Sequence, residues 1–208
     1  MLGWHFSFSN RRLGYGDNRE IVAGKTLSVV YKPELCVSGL HASKSILDAL
    51  RYAPGPYVWR VDVTHDLVIG DDKFVGSSRK ALWGIDATSI LQRFARLCAS
   101  DVLHLWDAPE VVVDFLKSGD MALRKDATNA AAYAATNVDA YAAAAYAANA
   151  AAYAANAAAY AANAAYAAYA AYAAAYAAYS AANAAARLSV LRQCEDIIRN
   201  FYPQPPEL

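Results

Sequence analysis

Charge of either sign is missing from a long stretch of this chain, since no Asp, Glu, Lys or Arg occurs from Ala140 to Ala186. Glycine and proline are missing from a longer one, between Asp120 and Tyr202. That second absence removes the two residues that stop helices, and alanine, the best helix former, fills the gap. Over the whole chain 19 Lys and Arg offset 19 Asp and Glu, and the basic residues are scattered. No electrostatic footprint for a phosphate backbone results, so nucleic acid is not an expected partner. Cysteine is scarce: Cys36, Cys98 and Cys194 are odd in number and far apart. They cannot close a disulfide framework within one chain, which fits a reducing cytoplasm. No CxxC pair is present, and a structural zinc site needs about four clustered ligands, so no metal is expected. No glycine-rich phosphate loop follows a strand, and no cofactor is implied. Met1 to Asn10 lacks the apolar core and small-residue cleavage site of a signal peptide. The charge-free stretch is long enough to span a membrane at about 20 residues per crossing. It nevertheless holds no Leu, Ile, Val or Phe and carries regularly spaced Asn, so no membrane span is expected.

What is present divides the chain near Asp120: varied sequence before it, and almost only Ala, Tyr and Asn from Asp126 to Ala186. Trp4, Phe6 and Phe8 alternate with His5, Ser7 and Ser9, the period of a strand with one buried face. The runs Ile21–Val22, Thr26–Tyr31 and Leu35–Val37 are read as further strands, punctuated by Gly24 and Pro33. Ser43 or Ser45 caps a helix through Ile46, Leu47 and Leu50 that Pro54-Gly55 ends. Tyr57, Trp59, Val61 and Val63 mark the clearest strand, and Leu67 to Ile69 a shorter one. A helix is expected from Thr88 through Cys98, and another from Pro109 to Gly119. The fold class read from this is α+β: a small N-terminal mixed α/β module over 1–120, then an all-α alanine-rich repeat over 121–208.

Within the repeat, Tyr146, Asn149, Tyr153, Asn156, Tyr160 and Asn163 alternate steps of three and four, and Tyr166, Tyr169 and Tyr172 then follow at steps of three before Tyr176 and Tyr179. One straight helix over 126–201 would run roughly 114 Å and could not keep this stripe on one face. Stacked short helices are therefore favoured over a long helix or a helical hairpin, with these tyrosines as core or interface because alanine buries little area. Leu188, Leu191, Cys194, Ile197, Ile198 and Phe201 form an amphipathic C-terminal helix.

The local sequence with most chemistry is Cys36-Val-Ser-Gly39-Leu-His41-Ala-Ser43, where a turn delivers a histidine that titrates near neutrality. Either His41 hydrogen-bonds the turn or it binds a ligand, and Ser43 and Ser45 beside it are read as caps before nucleophiles. Asp71-Asp72-Lys73 is a solvated turn or a seat for a phosphate or carboxylate. His41, Ser43 and Lys73 are the candidate binding residues, and none is read as catalytic.

Gly24-Lys25-Thr26, LCVSGLHAS over 35–43, Leu50-Arg51-Tyr52, VWRVDV over 58–63 and Asp72-Lys73 resemble an uncharacterised domain common in phage and prophage proteins. The resemblance covers residues 1–85 and implies no agreed activity. Members often carry a second cysteine after the histidine, where this chain has Ser43. The later part is similar to alanine-rich, immunity-like arrays that end in a short charged helix. A weaker similarity links His41-Ala42-Ser43, the helix ending Ala49-Leu50-Arg51-Tyr52-Ala53 and the valine-rich strand to the ADP-ribosyltransferase fold. That resemblance implies NAD bound between split sheets, although Glu110, which falls in an expected helix, does not supply the catalytic glutamate.

The function expected is that of a non-enzymatic phage or prophage accessory protein acting by binding or scaffolding, with a protein partner or self-association through the repeat. The alternatives are an NAD- or nucleotide-using enzyme and an ice-binding protein, the latter suggested by regularly spaced polar residues on alanine-rich helix.

Overall fold

A computed structural model describes residues 1–137 and 142–159, with positions 169, 170, 173, 174, 176, 177, 192 and 196. These fall into two compact units, one running Met1–Thr88 and a second beginning at Ser89. No helix among the described residues is long and apolar enough to cross a membrane.

The first unit is built on seven strands: β1 (Leu2–Ser7), β2 (Thr26–Ser28), β3 (Leu40–Ser43), β4 (Tyr57–Thr64), β5 (Val68–Ile69), β6 (Lys73–Gly76) and β7 (Ser78–Asp86). They form one sheet in the order β2-β7-β4-β1-β3-β6-β5, antiparallel at every pairing. Between β3 and β4 lies one short helix, α1 (Ile46–Arg51), capped by the Ser45 hydroxyl, which accepts from the Leu47 and Asp48 amides. Its buried Ile46, Leu47, Ala49 and Leu50 lie against β1 and β3.

β4 is the hub, pairing β1 over six positions and β7 over eight, with a bulge between Arg60 and Val61 that leaves Leu82 unmatched. Its adjacent Val58 and Trp59 are 0% and 2% exposed, so both faces of the sheet are covered at this point. One cluster joins Trp59, Val61, Val63, Phe74, Ala42 and Ala81 under Ile21 and Leu13 of the β1–β2 connection. Fully burying a side chain of this size contributes about 1.5–3 kcal/mol, and the cluster supplies several. Gly84 stands opposite Trp59, where any Cβ would run into the indole, so the glycine is what lets that ring lie flat on the sheet.

In the second unit α2 (Thr88–Asp101) contributes the large core residues Leu91 and Phe94, Val102 follows it ahead of a 3₁₀ turn (Leu103–Leu105), and α3 (Glu110–Ser118) adds Val112, Phe115 and Leu116. Helix α3 ends at Gly119, whose φ of 71° is the left-handed stop the sequence indicated. Two alanine-rich helices follow, α4 (Arg124–Asn137) and α5 (Ala142–Ala159), packed against each other and against α3. The buried positions of α5 are alanines: Ala147, Ala150, Ala151, Ala154 and Ala155 recur every three or four residues. Tyr146 stacks on Tyr176 and Tyr153 meets Tyr169 with tilted rings, each pair with centroids 5.5 Å apart. Tyr169, later in the chain than Tyr153, meets it, and Tyr176, later still, meets the earlier Tyr146.

The expected fold class is thereby corrected. The first part is a sheet-dominated unit around seven antiparallel strands and a single short helix, and no long helical repeat is seen among the described residues. The physical reason for the first correction is the segment 74–87, which the sequence analysis assigns to no element and which supplies most of β6 and all of β7, one on each side of the β4–β1–β3 core. The runs at Ile21–Val22 and Leu35–Val37 are not strands: the first is loop that follows the isolated Arg12–Glu20 bridge, and the second is loop enclosed by the Glu34–Ser38 bridge. Nor does β1 bury one face, since Ser7 is 1% exposed and Phe8 43%.

Candidate functional site

Within the sheet, β1 and β3 are neighbours joined at one registered pair, Trp4 with Ser43. Gly3 permits that approach, because a Cβ there would meet Phe74, the Ser43 carbonyl and Ala42. Beyond this point the two strands carry no further registered pairs, and a cavity of about 460 Å³ opens between His5, Phe6 and Ser7 on one side and Leu40, His41 and Ala42 on the other. Loop residues Arg12, Tyr15, Asp17, Tyr31 and Cys36 complete the wall, with Tyr52, Lys73 and Arg79. Such a volume lies in the range of small-molecule sites, about 300–1,000 Å³.

His41, Ser43 and Lys73 all line this cavity. His41 lies on β3 and not in the turn itself. Its Nε2 accepts from the Cys36 amide at 3.1 Å, and its Nδ1 faces the Gly39 carbonyl at 3.2 Å. That pair of contacts fixes the tautomer: Nδ1 carries the proton and Nε2 the lone pair. Burial holds the ring below its ordinary titration range, helped by Lys73 and Arg79 and opposed by the Gly39 carbonyl. The loop it ties is held in left-handed backbone at Cys36 (φ 64°) and Gly39 (φ 104°). A side chain at Gly39 would meet Val75 at 2.6 Å.

Ser43 is 3% exposed and sits in register with both Trp4 and Lys73, while Ser45 does the capping. Lys73 lies over the Tyr52 ring, 3.9 Å from its centroid. The Tyr52 hydroxyl donates to Asp72, which also receives Arg51 at 3.7 Å. The Asp71-Asp72-Lys73 turn is thus anchored to the end of α1, with its lysine on the cavity rim. Of the tyrosines singled out in the alanine-rich part, Tyr146, Tyr169 and Tyr176 are 39%, 52% and 42% exposed and Tyr153 is half-buried. Tyr160, Tyr166, Tyr172 and Tyr179 lie outside the described residues, as does the stripe from Leu188 to Phe201.

Two residues that the sequence reading passed over dominate the cavity. His5 projects from β1, and burial first, then the charge of Arg79 and the neighbouring His41, keep its ring neutral well below the usual range. Arg79 of β7 is 3% exposed. Its Nη1 donates to the His41 carbonyl at 2.6 Å, whereas its buried Nη2 has no hydrogen-bond partner among the described residues. Burial lowers its pKa to about 10, with Asp17 acting in the opposite direction. Asp17 does not neutralise it by contact, because that carboxylate is held by Arg19 at 2.6 and 2.9 Å. A signal for Arg79 was present: Arg79 and Lys80 are adjacent in a strand, so one of two cations must face inward.

The wall is therefore cationic, with Arg12, Lys73 and Arg79 against one carboxylate already committed to Arg19. It suits an anion, and the two imidazoles that line it, His5 and His41, are both held toward their neutral forms. Among the described residues no group of three His, Cys, Asp or Glu is placed to hold a metal ion. No protein-family model matches the chain, and no curated protein or solved structure shows significant similarity to it.

Proposed function

We propose that the N-terminal unit is a receptor for a small molecule of the nucleotide class, bound where β1 and β3 diverge. The observation that carries this reading is the 460 Å³ cavity at that divergence, walled by side chains of both strands and by cationic groups. The reading is of binding and not catalysis, because the cavity's one carboxylate among the described residues, Asp17, is spent on Arg19. Thermal melting of the full chain against NAD, adenosine, ADP and their guanine and pyrimidine counterparts tests it. A rise in Tm with at least one compound is expected, and a flat response across the panel would sink the reading.

A second reading rests on the tyrosines of the second unit. Tyr133 is 72% exposed, and Tyr146, Tyr169 and Tyr176 also keep much of their rings in solvent. Amphipathic rings of this kind are favoured at protein contacts, so a scaffolding role through this unit is proposed beside the first. Light scattering decides it: a monomer at all concentrations that also retains no partner protein removes the scaffolding role.

A further inference from the structure

We infer that the cavity takes its ligand phosphate-first, with the anionic group deep at Arg79 and the ring system left at the mouth. This inference rests on the small-molecule reading above and adds to it an orientation and a specificity residue. Three observations carry it. The first is the unpartnered Nη2 of Arg79, a buried polar atom on a residue that lines the cavity. A buried donor without a partner is costly, more so when charged, and such a cost persists where a ligand removes it. The second is the geometry that aims the group. Nη1 is fixed on the His41 carbonyl, which stands where β1 offers β3 no registered partner, so the guanidinium is held in place before any ligand arrives.

The third observation is the gradient from floor to mouth. Arg79 is 3% exposed and His5 half-buried, while Tyr15 and Tyr31, 104% and 51% exposed, stand at the entrance. A guanidinium presents paired N–H groups that match phosphate oxygens, and in a site shielded from water that match is strong. Aromatic rings at the entrance offer faces for stacking a base, which needs no particular hydrogen-bond pattern. Lys73 is engaged on Tyr52 and Arg12 on the Asn18 carbonyl, so neither is the primary anchor.

The test compares ADP, inorganic pyrophosphate and adenosine by titration calorimetry on the full chain at one ionic strength. ADP is expected to bind at least tenfold more tightly than adenosine, with pyrophosphate competing against it. In R79Q the ADP preference should collapse toward unity, and in K73Q and R12Q, both at exposed or rim positions, it should persist. Equal affinity for ADP and adenosine overturns the orientation while leaving the small-molecule reading intact. Loss of the preference in K73Q or R12Q overturns it as well, by placing the anion at the rim, and this arm stands even if R79Q fails to fold. No binding of any of the three probes defeats the inference together with the reading beneath it.

Discussion

At the scale of single residues, the cavity stores an acid sensitivity. The imidazoles of His5 and His41 are both held below their ordinary value of 6.5, in each case chiefly by burial. In the unfolded chain they take up protons as pH falls through that value, whereas the folded rings do not. The unfolded state then binds more protons, so stability decreases with falling pH. The urea midpoint is expected to drop between pH 7.5 and pH 5, and H5Q should flatten part of that slope. A midpoint independent of pH over this window would contradict the placement of both rings. Below about pH 4 a second decline should follow, because Asp17 and Asp72 are also depressed, by the Arg19 bond and the Tyr52 hydroxyl bond respectively. Their contribution is complete above the ordinary carboxylate value and is lost as they protonate in the fold.

At the scale of elements, α1 depends on its cap. With only six residues it cannot sustain itself by propensity, and Ser45 satisfies two of its first amides. Ser45→Ala should cost about 1 kcal/mol in chemical denaturation, and a change near zero would mean that packing alone holds the helix. In β7, Gly84→Ala forces a methyl against the Trp59 indole and should cost about 1–3 kcal/mol, read in the same assay. These elements also show what could be read in the chain. Strands β1 and β4, the Ser45 cap, the start of α2 at Thr88 and the Gly119 stop follow local rules and were legible. Strands β6 and β7 were not: β6 has four residues, and β7 carries a bulge, an inward arginine and a glycine, which together erase the period of two. The cavity was half legible. The sequence pointed to His41, Ser43 and Lys73 through the turn and charge pattern, but His5 was assigned to a solvent face because a strand covered on both sides shows no such alternation.

At the scale of the whole molecule, composition and charge set behaviour in solution. Nineteen cations and nineteen anions put the isoelectric point near 6.9. Proteins near zero net charge associate more readily, so solubility should be lowest close to neutral pH and rise by pH 8.5. Precipitation midpoints in polyethylene glycol across that range check this, and a maximum at neutrality would show that charge is not the controlling factor. The helical unit divides its labour by residue size. Phe94, Phe115 and Leu116 supply bulk at α2 and α3, whereas on α5 alanines allow close approach and tyrosines flank the contact.

The bond from the Cys36 amide to His41 gives the loop an internal reporter. An amide in an exposed loop ordinarily trades its hydrogen for deuterium within seconds, yet this one is held by a nitrogen lone pair on the cavity wall. Relative to the intrinsic rate at each pH, it should be protected while the imidazole is neutral and should lose that protection once acid occupies the lone pair. A single backbone resonance would then register both the protonation of the wall and any occupant that steadies the loop.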